Sequence, residues 1–252
     1  MPLILLIVKI YIKISNSKVY KLSMKILAIQ NRMGIGDTVI FLPYIEAISK
    51  KFNTPVSILV KKNSKAEQFL NQTNYIDKII FLERSNQKKE KHNGILGGFR
   101  LVQDLKKYKF DKVFIFNSSL RFNLIARLSE IKEIYQYPLF KKNNQHITKP
   151  AIDLIKKNLD LDISSSPQIQ INENLVKLAV LKFNIDNNET NILLAIGGSG
   201  STKRIPSKTF LSVMEKIYNK KKCRFFLATG KDIEEQIILN EIMNSKFKEK
   251  CV

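Results

Sequence analysis

Short apolar runs alternate with helix-spaced segments along this chain, and the alternation starts twice, which restricts the fold to parallel sheets flanked by helices. The first start is Met24-Lys25-Ile26-Leu27-Ala28-Ile29, an apolar run of the kind that forms a strand buried on both faces. Met33-Gly34-Ile35-Gly36-Asp37-Thr38 follows, and then Val39 to Ile48, apolar at helical spacing. Further strands are expected at 56–60, 78–82 and 112–116 and near Ile134-Tyr135. Helices are expected near 64–70, 95–108 and 120–129. A polar, lysine-rich stretch over 84–93 reads as a mobile loop. Helices over 151–158 and 172–183 lead to the second start, Ile192 to Ile196. After it come a glycine- and serine-rich loop over 197–204, a helix with Pro206 at its first position, a strand over 224–229, and a helix opened by Lys231 to Glu235. The organisation expected is an extension over 1–23, a first domain over 24–170 and a second over 171–252.

Each start places a loop between a strand and a helix, at the carboxyl end of the strand, where open α/β sheets hold their ligands. In the first loop the glycines permit a tight turn and close backbone approach. Asp37 falls at or near the helix N-cap, so it is either a cap or a carboxylate held at a site. In the second loop, Gly197-Gly198-Ser199-Gly200-Ser201-Thr202-Lys203-Arg204, backbone N–H groups at a helix start suit an anion such as phosphate. Lys203 and Arg204 add fixed charge. The order of residues is not that of a P-loop, and neither loop has the third glycine of the dinucleotide fingerprint. Glu234 and Glu235, just past the Gly230 strand end, either hold ribose hydroxyls or favour the positive end of the next helix.

Composition narrows the partners. The 252 residues carry a formal charge of +21, which suits a polyanionic partner or reflects a lysine-rich codon bias. The lysines are spread along the chain, and no nucleic-acid-binding motif or aromatic-interleaved basic stripe accompanies them. Cys223 and Cys251 have no metal-ligand spacing and read as reduced core residues of a cytoplasmic protein. The apolar run Pro2 to Val8 is shorter than the about 20 residues a membrane span needs. It also lacks the pattern of a signal peptide. Asp160-Leu161-Asp162 matches the Asp-x-Asp of metal-using transferases but falls in a polar linker and reads as solvated surface, so no metal site is assigned.

Taken together, Gly36-Asp37 with Leu42-Pro43 and Ala47, Phe116 to Leu128, Gly197 to Phe210 with Lys203-Arg204-Ile205-Pro206, and Thr229-Gly230 with Glu234 resemble glycosyltransferase family 9, the heptosyltransferases of lipopolysaccharide core synthesis. The resemblance runs from about Met24 to the end of the chain. It implies an α/β chain of GT-B type, two Rossmann-like parallel-sheet domains, the second incomplete. It implies transfer of a sugar, heptose, from a nucleotide diphosphate donor such as ADP-heptose to an anionic lipid-linked glycan acceptor, at the inner face of the inner membrane, with no cofactor. Asp37 would be the general base. Gly36, Gly197, Gly198, Ser199, Thr202 and Lys203 would bind the donor, with Lys203 on the diphosphate and Glu234 near the nucleoside. Asn117 and Arg121 would lie on the acceptor side. A further Asp-Thr-Gly-x-x-His stretch of the family falls beyond Val252, so a truncated chain is expected, with Phe225, Phe226 and Leu227 left uncovered. An active transferase, an inactive binding remnant and a nucleic-acid-binding protein are the readings that compete.

Overall fold

The computed structural model describes residues 24–32, 34–85, 89–139, 146–198 and 203–252. The chain divides into two compact units, 1–170 and 171–252. The expected extension over 1–23 lies outside the described residues, as does Met33.

The first unit is a five-stranded parallel sheet in the order β3-β2-β1-β4-β5, with β1 Ile26–Ile29, β2 Val56–Val60, β3 Ile76–Phe81, β4 Lys112–Ile115 and β5 Glu133–Gln136. Both β1 and β4 are buried along their whole length, which is why β1, and β4 after its first residue Lys112, read as apolar runs. Successive side chains leave a strand on opposite faces. Ile26 and Ala28 of β1 therefore pack with Phe41, Tyr44, Ile45 and Ile48 of helix α1 (Ile35–Phe52) and with Leu154 and Ile155 of α5 (Thr148–Leu159). Leu27 and Ile29 pack on the other face with Leu101 and Leu105 of α3 (Gly94–Lys106) and Phe122 of α4 (Leu120–Leu128). The short α2 (Ala66–Leu70) joins the first of these layers through Ala66 and Leu70. The stretch over 84–93 is held, not loose, at its described residues. His92 is buried and bonded to Glu83 through its backbone N–H and its Nδ1, and Asn93 Nδ2 donates to the Ser85 carbonyl.

The second unit contains α6 (Glu173–Lys182) and a parallel pair, β6 (Thr190–Ala195) and β7 (Cys223–Ala228), with α7 (Ser207–Tyr218) and α8 (Ile233–Met243). The Asn172 side chain caps α6, accepting from the Asn174 N–H at 2.8 Å. Phe210 and Met214 of α7 and Ile242 of α8 cover one face of the pair and bury Cys223 and Phe225. The expectation that Phe225 is uncovered is thus corrected: it is 0% exposed, and the alternation of the strand puts its neighbour Phe226 on the opposite, open face. Cys251 pairs in parallel with Phe225, and Val252 exchanges backbone hydrogen bonds with Phe225 and Leu227 at 2.9 and 3.0 Å. Both cysteines are free thiols, and burial pushes each upward, Cys251 to about 11.

Candidate active site

In the first unit the strand order reverses between β1 and β4, and at such a switch point the following loops diverge and leave a crevice at the carboxyl ends. Gln30 and Asn31 follow β1 there, and Phe116 and Asn117 follow β4. The Phe116 N–H donates to the Ile29 carbonyl at 3.0 Å, and Asn117 Nδ2 reaches Asn31 Oδ1 at 3.4 Å. Asn117 Oδ1 accepts the Ser119 N–H at 2.9 Å. Gln136, at the end of β5, braces the same loop by donating to the carbonyls of Asn117 and Ser119, each at 3.0 Å. Gln30 is 2% exposed, and its Nε2 has no hydrogen-bond partner among the described residues. Below these loops, Phe116 lies between Tyr44 and Tyr137, 6.2 Å from each ring. Burial drives both phenols upward.

Asp37 stands beside this crevice but not at the N-cap. Helix α1 begins at Ile35 with Gly34 as its cap, so Asp37 occupies the third helical position and its Oδ2 accepts the Gly34 N–H at 3.0 Å. This is the returning half of a capping box, with no cap side chain opposite because the cap is glycine. One carboxylate oxygen is therefore tied to the helix start, and the second has no hydrogen bond among the described residues. Neither Gly34 nor Gly36 has the positive φ that a glycine-only turn requires, and a Cβ on Gly36 would meet nothing within 4 Å. The glycines leave room in front of Asp37; they do not relieve the backbone.

Arg121 is engaged inside the unit. Its Nη1 donates to the Gly94 carbonyl at 2.7 Å and its Nη2 to the His92 carbonyl at 2.9 Å, tying the start of α4 to the start of α3. Burial and the nearby charge of Arg84 both lower its pKa.

In the second unit, Gly197 and Gly198 follow β6, and Gly230 follows β7. Glu235, 7% exposed, lies between the two loops: Oε1 accepts the Gly198 N–H at 3.1 Å and Oε2 the Gly230 N–H at 2.7 Å. A Cβ on Gly197 would stand 3.2 Å from Oε2, and one on Gly198 3.0 Å from the Lys203 carbonyl, so both glycines are needed for the close approach. Lys203 is exposed. Arg204 is clamped by Glu234 and by Asp232, the latter at 3.0 Å, so the exposed Glu234 carboxylate is held by Arg204. Pro206 caps α7 and does not open it, since the helix begins at Ser207. Ser199 and Thr202 lie outside the described residues.

Sequence reasoning named Asp37, Gly36, Asn117, Arg121, Gly197, Gly198, Lys203 and Glu234. In the first unit Gly36 and Asp37 lie in the first turn of α1, after β1, and Asn117 lies on the loop after β4, the two strands that flank the switch point. In the second, Gly197, Gly198 and Lys203 lie between β6 and α7, and Glu234 in the first turn of α8 after β7. Gln30, Asn31 and Gln136 were missed. Glu235 was singled out with Glu234 but not as the clamp between the Gly198 and Gly230 loops. Asp160 and Asp162 are exposed and bond Lys156 at 3.3 and 2.8 Å, and among the described residues no three His, Cys, Asp or Glu gather as a metal site.

No family model and no curated protein matches the chain by sequence. Solved structures do match by shape. The E. coli ADP-heptose lipopolysaccharide heptosyltransferase II superposes with a TM-score of 0.68 at 15% identity, over 90% of this chain and 71% of that one. A family 9 glycosyltransferase from Veillonella parvula gives 0.67 at 18%, over 88% and 67%. The E. coli heptosyltransferase WaaC, solved with ADP, gives 0.60 at 14%, over 88% and 72%. At such identities the likeness is one of fold: the chain has the α/β, GT-B-like fold of these glycosyltransferases, with a five-stranded parallel sheet in its first unit.

Proposed function

We propose that this chain is a glycosyltransferase of heptosyltransferase type. It takes a sugar, heptose, from a nucleotide diphosphate donor and passes it to a lipid-linked glycan acceptor at the inner membrane surface. The observation that carries the reading is the shape match over 90% of the chain to a heptosyltransferase. A carboxylate beside the switch-point crevice supports it.

In the proposed reaction an acceptor hydroxyl attacks the anomeric carbon, its proton passes to the Asp37 oxygen not used by Gly34, and the nucleoside diphosphate departs. Proton acceptance by a positioned carboxylate is worth ~10²–10⁴-fold. The Lys203 ammonium would stabilise the leaving diphosphate. ADP is the nucleotide to test first, because the matching WaaC structure was solved with it.

The experiment is calorimetric titration with ADP, followed by a transfer assay with ADP-heptose and a deacylated glycan acceptor. Asp37→Asn is expected to keep donor binding and to lose transfer by at least ~10²-fold. Transfer within a few-fold of wild type would make Asp37 a helix cap alone. Failure to bind any nucleotide diphosphate would overturn the reading.

A further inference from the structure

Six of the nine exposed large apolar side chains described in the first unit lie on two neighbouring helices. On α3, Ile95, Leu96 and Phe99 are 80%, 73% and 55% exposed, and on α4, Leu120, Leu124 and Leu128 are each about half exposed. On α3 the apolar exposure is confined to the start of the helix. Its buried side is Gly97, Gly98, Leu101, Val102 and Leu105, and its later exposed positions are the polar Gln103 and Lys106. Gly97 lies so close to the His92 backbone that a Cβ would stand 2.2 Å from it, and Gly98 lies on the Arg121 guanidinium. The helix is thereby pressed onto its neighbours by its glycine side, which turns Ile95, Leu96 and Phe99 to solvent. Arg121 holds the starts of α3 and α4 together. Both starts follow strand ends, so the patch stands at the carboxyl end of the sheet, the end that carries Asp37.

The sequence around the patch is basic: residues 84–107 hold seven Lys and Arg against two carboxylates. Three of these lysines are paired, Lys91 and Lys107 with Asp104 and Lys106 with Glu130. Arg100 is exposed beside Phe99, and Arg84 is close enough to Arg121 to perturb it; neither has an ion pair among the described residues. Apolar side chains with the unpaired Arg100 and Arg84 near them match a surface with an apolar interior and an anionic face, which is an acidic bilayer. A nucleic acid would use the cations and leave the apolar residues wet.

We propose that the α3–α4 face docks on an anionic lipid bilayer, with Ile95, Leu96 and Phe99 entering the headgroup–acyl boundary and Arg84 and Arg100 at the level of the phosphates. The proposal rests on the reading that the acceptor is lipid-linked, and it brings the Asp37 end of the unit to the membrane where such an acceptor lies.

The test is co-sedimentation of the full chain with vesicles of mixed phosphatidylcholine and phosphatidylglycerol, and with neutral phosphatidylcholine vesicles. Wild type is expected on the anionic vesicles, with part of the binding surviving raised salt. Combined Ile95→Ser, Leu96→Ser and Phe99→Ser is expected to lower the partition at least ~10-fold, since each buried apolar side chain contributes to insertion. Because the chain has no Trp, Phe99→Trp supplies a single emitter that should shift to the blue on anionic vesicles. It keeps the patch apolar should the triple variant fold poorly. A triple variant that binds like wild type overturns the proposal. So does indole emission from the Phe99→Trp variant that vesicles leave unchanged, or a patch that instead joins two copies of the chain in solution. Titration with ADP separates the two readings: vesicle binding without nucleotide binding would sink the transferase and leave the docking face standing.

Discussion

Glu235 Oε2 accepts the backbone N–H of Gly230 at 2.7 Å, and a Cβ on Gly230 would stand 2.6 Å from that same oxygen. With Oε1 on Gly198, the buried carboxylate fixes the loops after β6 and β7 relative to each other. Bonds to a charged acceptor are worth about 1.5–3 kcal/mol each, and a buried one left unmade costs at least as much.

Glu235→Gln should therefore destabilise the second unit by about 1.5–3 kcal/mol, because the amide NH₂ must face one of the two N–H donors. Amide exchange at Gly198 and Gly230 should quicken together. Glu234→Gln, on an exposed side chain, should leave both exchange rates near wild type. Equal effects from the two substitutions would show that the clamp does not depend on Glu235.

Asp104 predicts an acid limit for the first unit. Burial raises its pKa, but hydrogen bonds from Lys91, Lys107 and His92 outweigh this and hold it at about 2. A carboxylate depressed in the folded state contributes stability above its ordinary value near ~4, and that stability fades as pH falls toward ~2. Denaturant unfolding from pH 5 to pH 2 should show Asp104→Asn losing less stability on acidification than wild type. Parallel pH profiles would remove Asp104 as the source.

Lys203→Ala should weaken binding of ADP by roughly 10–150-fold, the equivalent of one charge-assisted contact, and leave adenosine binding near wild type. Calorimetry with the two ligands decides it: equal loss for both would mean that Lys203 does not hold phosphate.

Strands buried on both faces were legible because nothing interrupts their apolar runs, as in Ile26 to Ile29 and Val113 to Ile115. The start of α1 was less so, because Ile35 is exposed and two glycines break the apolar rhythm; Asp37, expected at or near the cap, sits at the third helical position and accepts the N–H of the Gly34 cap. The hydrogen-bond partners of side chains were the least legible part. Nothing local distinguishes Glu235 from Glu234; one is buried between glycines and the other pairs with Arg204, and only the packing of α8 against the strand ends decides which. Arg121 was expected on the acceptor side, and its contacts with the carbonyls of His92 and Gly94 depend on α3 lying beside α4, which sequence order does not reveal.

The two faces of β6–β7 should respond oppositely to substitution. Phe225 is fully buried against Phe247 and α7, whereas Leu193, 70% exposed, lines an open groove of about 380 Å³ with Phe183, Ile185 and Phe226. Truncating a buried phenylalanine costs about 3–5 kcal/mol through lost transfer energy and the cavity left behind. Phe225→Ala should therefore unfold much of the second unit, and Leu193→Thr should change stability by no more than about 0.5 kcal/mol. The groove presents apolar surface to water, so wild type should bind an anionic naphthalene dye, and Leu193→Thr should lower the bound fluorescence without loss of helix signal. If Leu193→Thr destabilises as much as Phe225→Ala, the face that carries Leu193 is covered in solution and the groove is not open.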